Sequence, residues 1–402
     1  MRTRKFGGYG MLRGLLGPLQ GRLGPVLAAV PLAVGALAAA VVFPGLAAAA
    51  LASGLPQPAV SDSLSGVSCV SADDCWAVGS TLDTGANNVG GEILHWNGSS
   101  WVAVSSPAAA GALDSVSCTA STDCWAVGNS GNGQTFGRPL AVRWNGATWT
   151  EVQIPSESGA VLRAVSCTSR RNCWAVGSYG RSNKTLALRW IGSRWIHVAT
   201  PNPGPLAKAL TAVTCISMRD CWSFGYYDGP PVGAFVTGYL MAIHWNGSGW
   251  KRVWTSAPYY GGDVSTAATV AGISCTSSRR CLAVGWSWIP GVMTSALALL
   301  WNGTRWATLS TPQIHDANLY GVDCASAKDC WAVGVTSSLG GSSRSLVLRW
   351  NGSSWTGATP PGDASSVSCT SASNCWAVGS AESNNASLNL ALRWNGNTWS
   401  PF

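Results

Sequence analysis

Charge is scarce in this 402-residue chain, where Asp, Glu, Lys and Arg together make up 10% of the residues. Glutamate occurs only as Glu92, Glu151, Glu157 and Glu382, and these four form no recognisable pair. Histidine occurs four times and lysine five times. The chain has no phosphate-binding glycine loop, no metalloprotease helix motif and no nucleophile elbow. Those absences remove the common signatures of nucleotide, zinc and serine-hydrolase chemistry, and no cofactor is expected. The net charge of +8 is misleading. Arg2, Arg4, Lys5, Arg13 and Arg22 lie before residue 53 with no acid among them, which leaves 20 basic and 17 acidic residues beyond that point. No basic patch argues for a nucleic-acid partner. Low charge does not mean disorder here, because 47% of the chain is apolar and 23 residues are tryptophan.

Long apolar runs are confined to the N-terminus. A basic segment is followed by an apolar stretch from about Val26 to Phe43, and Ala50-Leu51-Ala52 fits an export-cleavage pattern. Residues 1–52 therefore read as a signal peptide. The alternative is an uncleaved signal anchor, since the stretch is long enough to span a bilayer, and either way the rest of the chain is exported. Residues 53–63 read as a short linker, and 64–402 as the folded domain. Twenty arginines against five lysines suggest a GC-rich bacterial genome.

No cysteine falls outside one pattern. CTSRRNCWAVG runs from Cys167 to Gly177, and six other copies follow the same plan. The expected pairs are Cys69 with Cys75, Cys118 with Cys124, Cys167 with Cys173, Cys215 with Cys221, Cys275 with Cys281, Cys324 with Cys330, and Cys369 with Cys375. An even cysteine count in an exported chain reads as disulfides. Five intervening residues let the two thiols face each other across a short hairpin. Metal binding fails on ligand count, because each copy offers two thiols and no adjacent histidine, whereas structural zinc takes four ligands. Each closed loop contributes about 2.4 kcal/mol on the chain-entropy estimate. These bonds pin local hairpins and do not tie distant segments together.

The first cysteines are spaced 49, 49, 48, 60, 49 and 45 residues apart. In each copy a short strand such as LRAVSC ends at the first cysteine, and CWAVG forms a second. A Gly/Ser-rich loop of variable length leads to a third, as in LALRW, where Leu186, Leu188 and Trp190 alternate with Ala187 and Arg189. An Asn-Gly turn, Ile191-Gly192 in the third copy, leads to a fourth strand that opens on another tryptophan. Four antiparallel strands repeated seven times predict an all-β, seven-bladed β-propeller with one disulfide hairpin per blade. The residue three before the third-strand tryptophan is small or apolar, and the residues around it are larger. That gives each sheet one small and one large apolar face, as side-by-side blades require. Which strand opens a blade, and so how the ring closes, is left open.

Two stretches make a resemblance specific: Cys173-Trp174-Ala175-Val176-Gly177, and the Trp-Asn-Gly-x-x-Trp run from Trp144 to Trp149. The chain resembles bacterial Asp-box and photosystem-II-assembly-factor-like propellers, and more broadly kelch and galactose-oxidase-like propellers, over about residues 64 to 402. A cysteine stands where those families have a first glycine, and Asn-Gly replaces their acidic turn, so no ligand bound through that turn carries over. A sialidase-like site would need an arginine cluster with Tyr, Asp and Glu. A galactose-oxidase-like copper site would need free His, Tyr and Cys. All the cysteines are accounted for by the repeat, and His315 is the only histidine outside the repeated strands and their flanks apart from His197.

Twenty of the 23 tryptophans sit at the three repeated positions and read as core. The residue before the third-strand tryptophan is His95, Arg143, Arg189, His244, Leu300, Arg349 or Arg393, which reads as a long side chain packing its stem and reaching solvent. Asp73, Asp74, Asp123, Asp220 and Asp329 in the cysteine hairpins read as turn formers. The hairpin and the Asn-Gly turn are short and nearly constant and share one face of the disc. The second connection and the link between copies vary and share the other, where binding belongs. Irregularity concentrates there in copies four and five: Tyr226, Tyr227, Asp228 and Tyr239, then Trp254, Tyr259, Tyr260 and Asp263 in the long link, then Trp286 and Trp288. Such aromatics stack on sugar rings or partner proteins, or they pack the longer loops together. The function expected is extracellular binding or scaffolding of a cell-surface protein or glycan. The alternative is a carbohydrate-active enzyme using loop acids such as Asp228, Asp263 and Asp316. Contact with a membrane is expected only through an uncleaved N-terminal anchor.

Overall fold

A computed structural model describes residues 60–402, apart from 84–87, 108–110, 131–136, 156–157, 181–183, 232–237, 257–266, 290–291, 315, 338–342, 359, 361 and 384–385. The described residues form 28 strands in seven four-stranded antiparallel sheets. Each sheet is built from four strands consecutive in the chain and hydrogen-bonded in chain order. The seven first strands are Val60–Ser71, Gly111–Ala120, Val161–Ser169, Lys208–Ser217, Ala267–Ser277, Ala317–Ser326 and Asp363–Ser371. They meet around a common axial cavity, and their neighbours form a closed ring. The chain is a seven-bladed β-propeller whose first strands are innermost.

Each blade's first hairpin carries its disulfide. The paired cysteines lie directly opposite in register, Cys167 on Cys173 for example, and all seven bonds join cysteines six positions apart. The third and fourth strands meet at a four-residue loop. Asn97 Oδ1 accepts the backbone N–H groups of Ser99 and Ser100, both at 3.0 Å, and Gly98 takes φ 91°. Only glycine adopts that φ without strain.

The first strand is not regular. Leu162 faces Gly177 and Ala164 faces Val176, so Arg163 between them has no partner. The same one-residue bulge recurs in all seven blades. It has a purpose visible in the apolar pattern. Leu162 and Val165 are three apart, and a period of two would send them to opposite faces, yet both are buried. The extra residue corrects the phase. The bulge also pushes a carbonyl against the second strand. A Cβ on Gly177 would lie 1.9 Å from Val161 O, and at the other six equivalent glycines the gap is 1.8–2.0 Å. The glycine that ends each CWAVG is therefore demanded by the bulge opposite it.

Blades join through tryptophan. Trp174 of blade three lies 4.8 Å from Trp245 and 4.9 Å, edge-on, from Trp250 of blade four. Trp76, Trp125, Trp222, Trp331 and Trp376 make the same pair of contacts with the blade that follows, and Leu282 takes the position in blade five. The small face of one blade meets the large face of the next, as with Ala187 and Val176 against Leu210, Met241 and Ile243. Near the axis, the N–H of Cys118, Cys167, Cys215, Cys324 and Cys69 donates to a serine hydroxyl on the preceding blade at 3.0–3.2 Å. Asp323 replaces that serine for Cys369, at 2.8 Å. These bonds satisfy the inner edge strands, whose donors would otherwise be bare.

The ring closes without a shared blade. The last sheet holds only its own strands. Closure rests on contacts of the kind that join most other blades: Trp376 against Trp96 at 4.7 Å, and Cys69 N on Ser368 Oγ at 3.0 Å. Gly177→Ala should destabilise the domain by roughly 3–5 kcal/mol, because a backbone carbonyl occupies the site of the new methyl. Gly249→Ala, with nothing within 4 Å of its added Cβ, should be nearly silent. Thermal unfolding of the two variants side by side measures the difference.

Candidate binding site on the variable face and along the axis

The constant face is committed to structure. The residue before each third-strand tryptophan does more than reach solvent. The Arg143 guanidinium sits 5.5 Å from the Trp125 ring centroid and 5.6 Å from that of Trp190 in the next blade. Arg189, Arg349 and Arg393 repeat this arrangement, and His95 and His244 stack on Trp76 and Trp222. Their heads bind the residue just before the second cysteine: His95 to Asp74 at 2.9 Å, Arg143 to Asp123 at 2.7 Å, His244 to Asp220 at 2.7 Å and Arg349 to Asp329 at 2.8 Å. Arg189 donates to Asn172 instead. Asp123 and Asp329 are thus ionic partners, and Asp74 and Asp220 hydrogen-bond partners, as well as turn formers. Blade five changes all three members together, to Leu282, Leu300 and Arg280. The stack and the ion pair are lost as a unit.

The singled-out aromatics among the described residues lie on the variable face. Tyr226, Tyr227 and Asp228 end the second strand of blade four, Asp220–Asp228. Tyr239 lies opposite Tyr227 on Gly238–Trp245, and their rings stack at 5.0 Å. Arg252 lies over Tyr227 at 4.7 Å and donates to its hydroxyl at 2.7 Å. Asp228 is half-buried. Burial raises its carboxyl above the ordinary range, against the opposing pull of buried Lys208. Trp286 and Trp288 lie on the second strand of blade five, Arg280–Ile289; Trp286 is half-buried and Trp288 is 38% exposed. Trp254, just past the fourth strand of blade four, is 89% exposed. Tyr259, Tyr260 and Asp263 lie outside the described residues. Asp316 takes φ 52° and accepts from Thr294 Oγ1 at 2.5 Å.

Two features escaped sequence reading. The first is the bulge residue, four positions before each first cysteine: Ser65, Asp114, Arg163, Thr211, Ala271, Tyr320 and Ser365. All seven line the axial cavity of about 170 Å³. Thr211 is tied to Val270 O at 2.6 Å. Burial pushes the Asp114 carboxyl up to about 6, against the influence of Arg163 in the next blade. Burial, then the charge of Asp363, raises the Tyr320 hydroxyl. The signal was present, since this is the position where seven otherwise similar strands differ most in chemistry. The second feature is a carboxylate pair. Glu92 Oε1 accepts from Asn389 Nδ2 at 2.7 Å across the closing junction. Burial and the nearby Asp62 charge raise the Glu92 carboxyl, and burial raises that of Asp62.

No protein-family model matches the chain, and no curated protein matches it. Solved structures do. One is described as YCF48 bound to D1 peptide; it is 12% identical, with 81% of this chain and 92% of that one covered, at a TM-score of 0.51. Another is a polysaccharide lyase of family PL25, an ulvan lyase bound to a GlcA(1-4)Rha3S unit, at 8% identity, 83% and 92% coverage and TM-score 0.55. The same lyase without that ligand gives 7% identity, 85% and 96% coverage and TM-score 0.55. The chain shares their fold. At such identities the likeness says nothing finer about activity.

Asp114→Asn tests the axial electrostatics. Its carboxyl titrates higher in the folded state, so the fold binds that proton more tightly and wild-type stability falls as pH rises from about 4 through about 6. At pH 7 the variant should therefore be more stable, by about 1–3 kcal/mol. The gain should vanish below about pH 4. Melting temperatures of both proteins between pH 3.5 and 7.5 check this.

Proposed function

We propose that the chain is an extracellular binding propeller that presents a protein or glycan ligand site on its variable face. Seven disulfides and no free cysteine accord with an oxidising compartment. Among the described residues, no helix is long and apolar enough to cross a membrane. One observation carries the reading. The twenty framework tryptophans are buried or half-buried, and the two exposed ones, Trp254 and Trp288, lie outside the framework in blades four and five. A large aromatic left in water on a rigid scaffold is a contact residue in waiting. Tyr226, Tyr227, Asp228, Tyr259, Tyr260 and Trp286 complete the proposed site.

A carbohydrate-active enzyme is the second reading, and the Asp62–Glu92 pair favours it. Burial raises both carboxyls, and the Asp62 charge raises that of Glu92 further; a carboxyl of raised proton affinity beside a second one is the arrangement a general acid uses. Asp228 and Asp316 belong to separate segments of different blades and are each engaged with other groups.

A screen of cell-wall extract and soluble glycans, with a cleavage readout on the same samples, separates the two readings. For the binding reading, Trp254→Ala with Trp288→Ala should weaken ligand binding by roughly thirtyfold, the effect of losing about 2 kcal/mol, at an unchanged melting temperature. Trp174→Ala should instead destabilise by roughly 3–5 kcal/mol. A double variant that melts early, or binds as wild type does, would remove the support for this site. Cleavage abolished by Glu92→Gln in a protein of normal stability would select the enzyme.

A further inference from the structure

Six of the seven blade junctions are sealed at the outer rim by an apolar side chain at one repeated position. It stands three residues after the fourth-strand tryptophan: Val104, Val152, Val198, Val253, Leu309 and Phe402. The backbone position is equivalent throughout. Val104, Val152, Val198 and Phe402 donate to the residue three before the third-strand tryptophan, and Val253 and Leu309 pair with it in register. The valines and Leu309 are half-buried against the core of the following blade. Phe402 meets Trp96 and Trp376 edge-on at 4.8 and 5.3 Å.

Blade six has Ala358 at this position, opposite Val347, and it is exposed. Val347 fills the deeper space, where five other copies have alanine. The rim is left open. The result is a groove of about 420 Å³ between blades six and seven, lined by Trp331, Trp394, Trp399, Ala358 and Pro360, with Arg349 and Asn397 among its polar groups. That volume lies in the range of ligand pockets.

We propose that this groove is a peptide-binding site that takes a branched aliphatic or aromatic side chain from an extended partner segment. The molecule itself shows what fits. At every other junction the occupant is Val, Leu or Phe carried on extended chain. The fold also uses the matching backbone mode. In blade five the link segment lies along the outer strand Trp306–Leu309: Thr255 bridges Trp306 in parallel, and Ser256 Oγ accepts from Thr308 N at 3.1 Å. A partner strand would occupy the corresponding edge of Trp355–Ala358. This site is separate from the variable-face site and independent of it.

The test titrates the oxidised full chain with an acetylated, amidated peptide copying residues 102–106, Val-Ala-Val-Ser-Ser, read by tryptophan fluorescence. A control peptide has glycine for its central valine, and chitopentaose is the glycan arm. Saturable binding of the valine peptide is expected, weaker by roughly tenfold or more for the glycine peptide. Ala358→Val, which restores the common residue, should weaken peptide binding by roughly tenfold or more and raise the melting temperature by about 1–2 °C. The Trp254/Trp288 double variant should bind this peptide normally. No binding, equal binding of the glycine peptide, binding of chitopentaose alone, or Ala358→Val binding like wild type would each overturn the proposal.

Discussion

Six of the seven junctions of this ring depend on a tryptophan that its own blade cannot bury. The second-strand ring projects from one sheet and finds its enclosure between two tryptophans of the next. A single copy thus has an exposed aromatic on one side and an unfilled slot on the other. Only a closed set leaves neither. The seven disulfides do not perform this task, since each spans one hairpin. They keep the hairpin in register, and the tryptophans hold hairpin to hairpin. The arginines sandwiched between the same rings add cation–π contacts, two of them with an ion pair, and His95 and His244 lie against the tryptophan and hydrogen-bond to the hairpin acid. Blade five, with leucine in place of the aromatic, drops the cation and the acid as well, whereas blades three and seven keep the ring and the cation with Asn172 or Asn374 in place of the acid.

Much of this was legible before the fold was seen. The period, the four strands per copy, the local cysteine pairs and the burial of repeated tryptophans all follow from apolar alternation and turn chemistry. What escaped has a physical reason in each case. The bulge lies hidden in a three-residue spacing between Leu162 and Val165 that reads as an irregular strand. The reason for the glycine of CWAVG is the carbonyl across from it, a contact between strands. The sandwiched arginines were readable as solvent-reaching stems because their partners lie in other strands and in the next copy. Asp62 and Glu92 are thirty residues apart in sequence, and Glu92 meets Asn389 only because the ring closes.

The candidate site was legible in outline. Irregular length and stray aromatics pointed to blades four and five, and the two exposed tryptophans are there. The axial residues were harder to see. Asp114, Arg163 and Tyr320 occupy the same position of three similar strands, so the eye that finds a repeat by its sameness passes over the place where it varies. The rim position held by Ala358 has the same character. A repeat protein advertises its architecture through what recurs and its individuality through single departures.

Because each sheet uses four consecutive strands, and the first and last blades meet as any other pair does, the repeat unit in the gene coincides with the blade in space. No blade is assembled from both ends of the chain. An in-frame duplication or loss of one repeat would add or remove a whole blade with its disulfide, its tryptophans and its share of the axis, leaving the contacts at the new junction chemically the same. Ring size in such a design is then governed by the angle between neighbouring sheets. The small residues and bulges lie at the axis, where neighbouring sheets approach most closely.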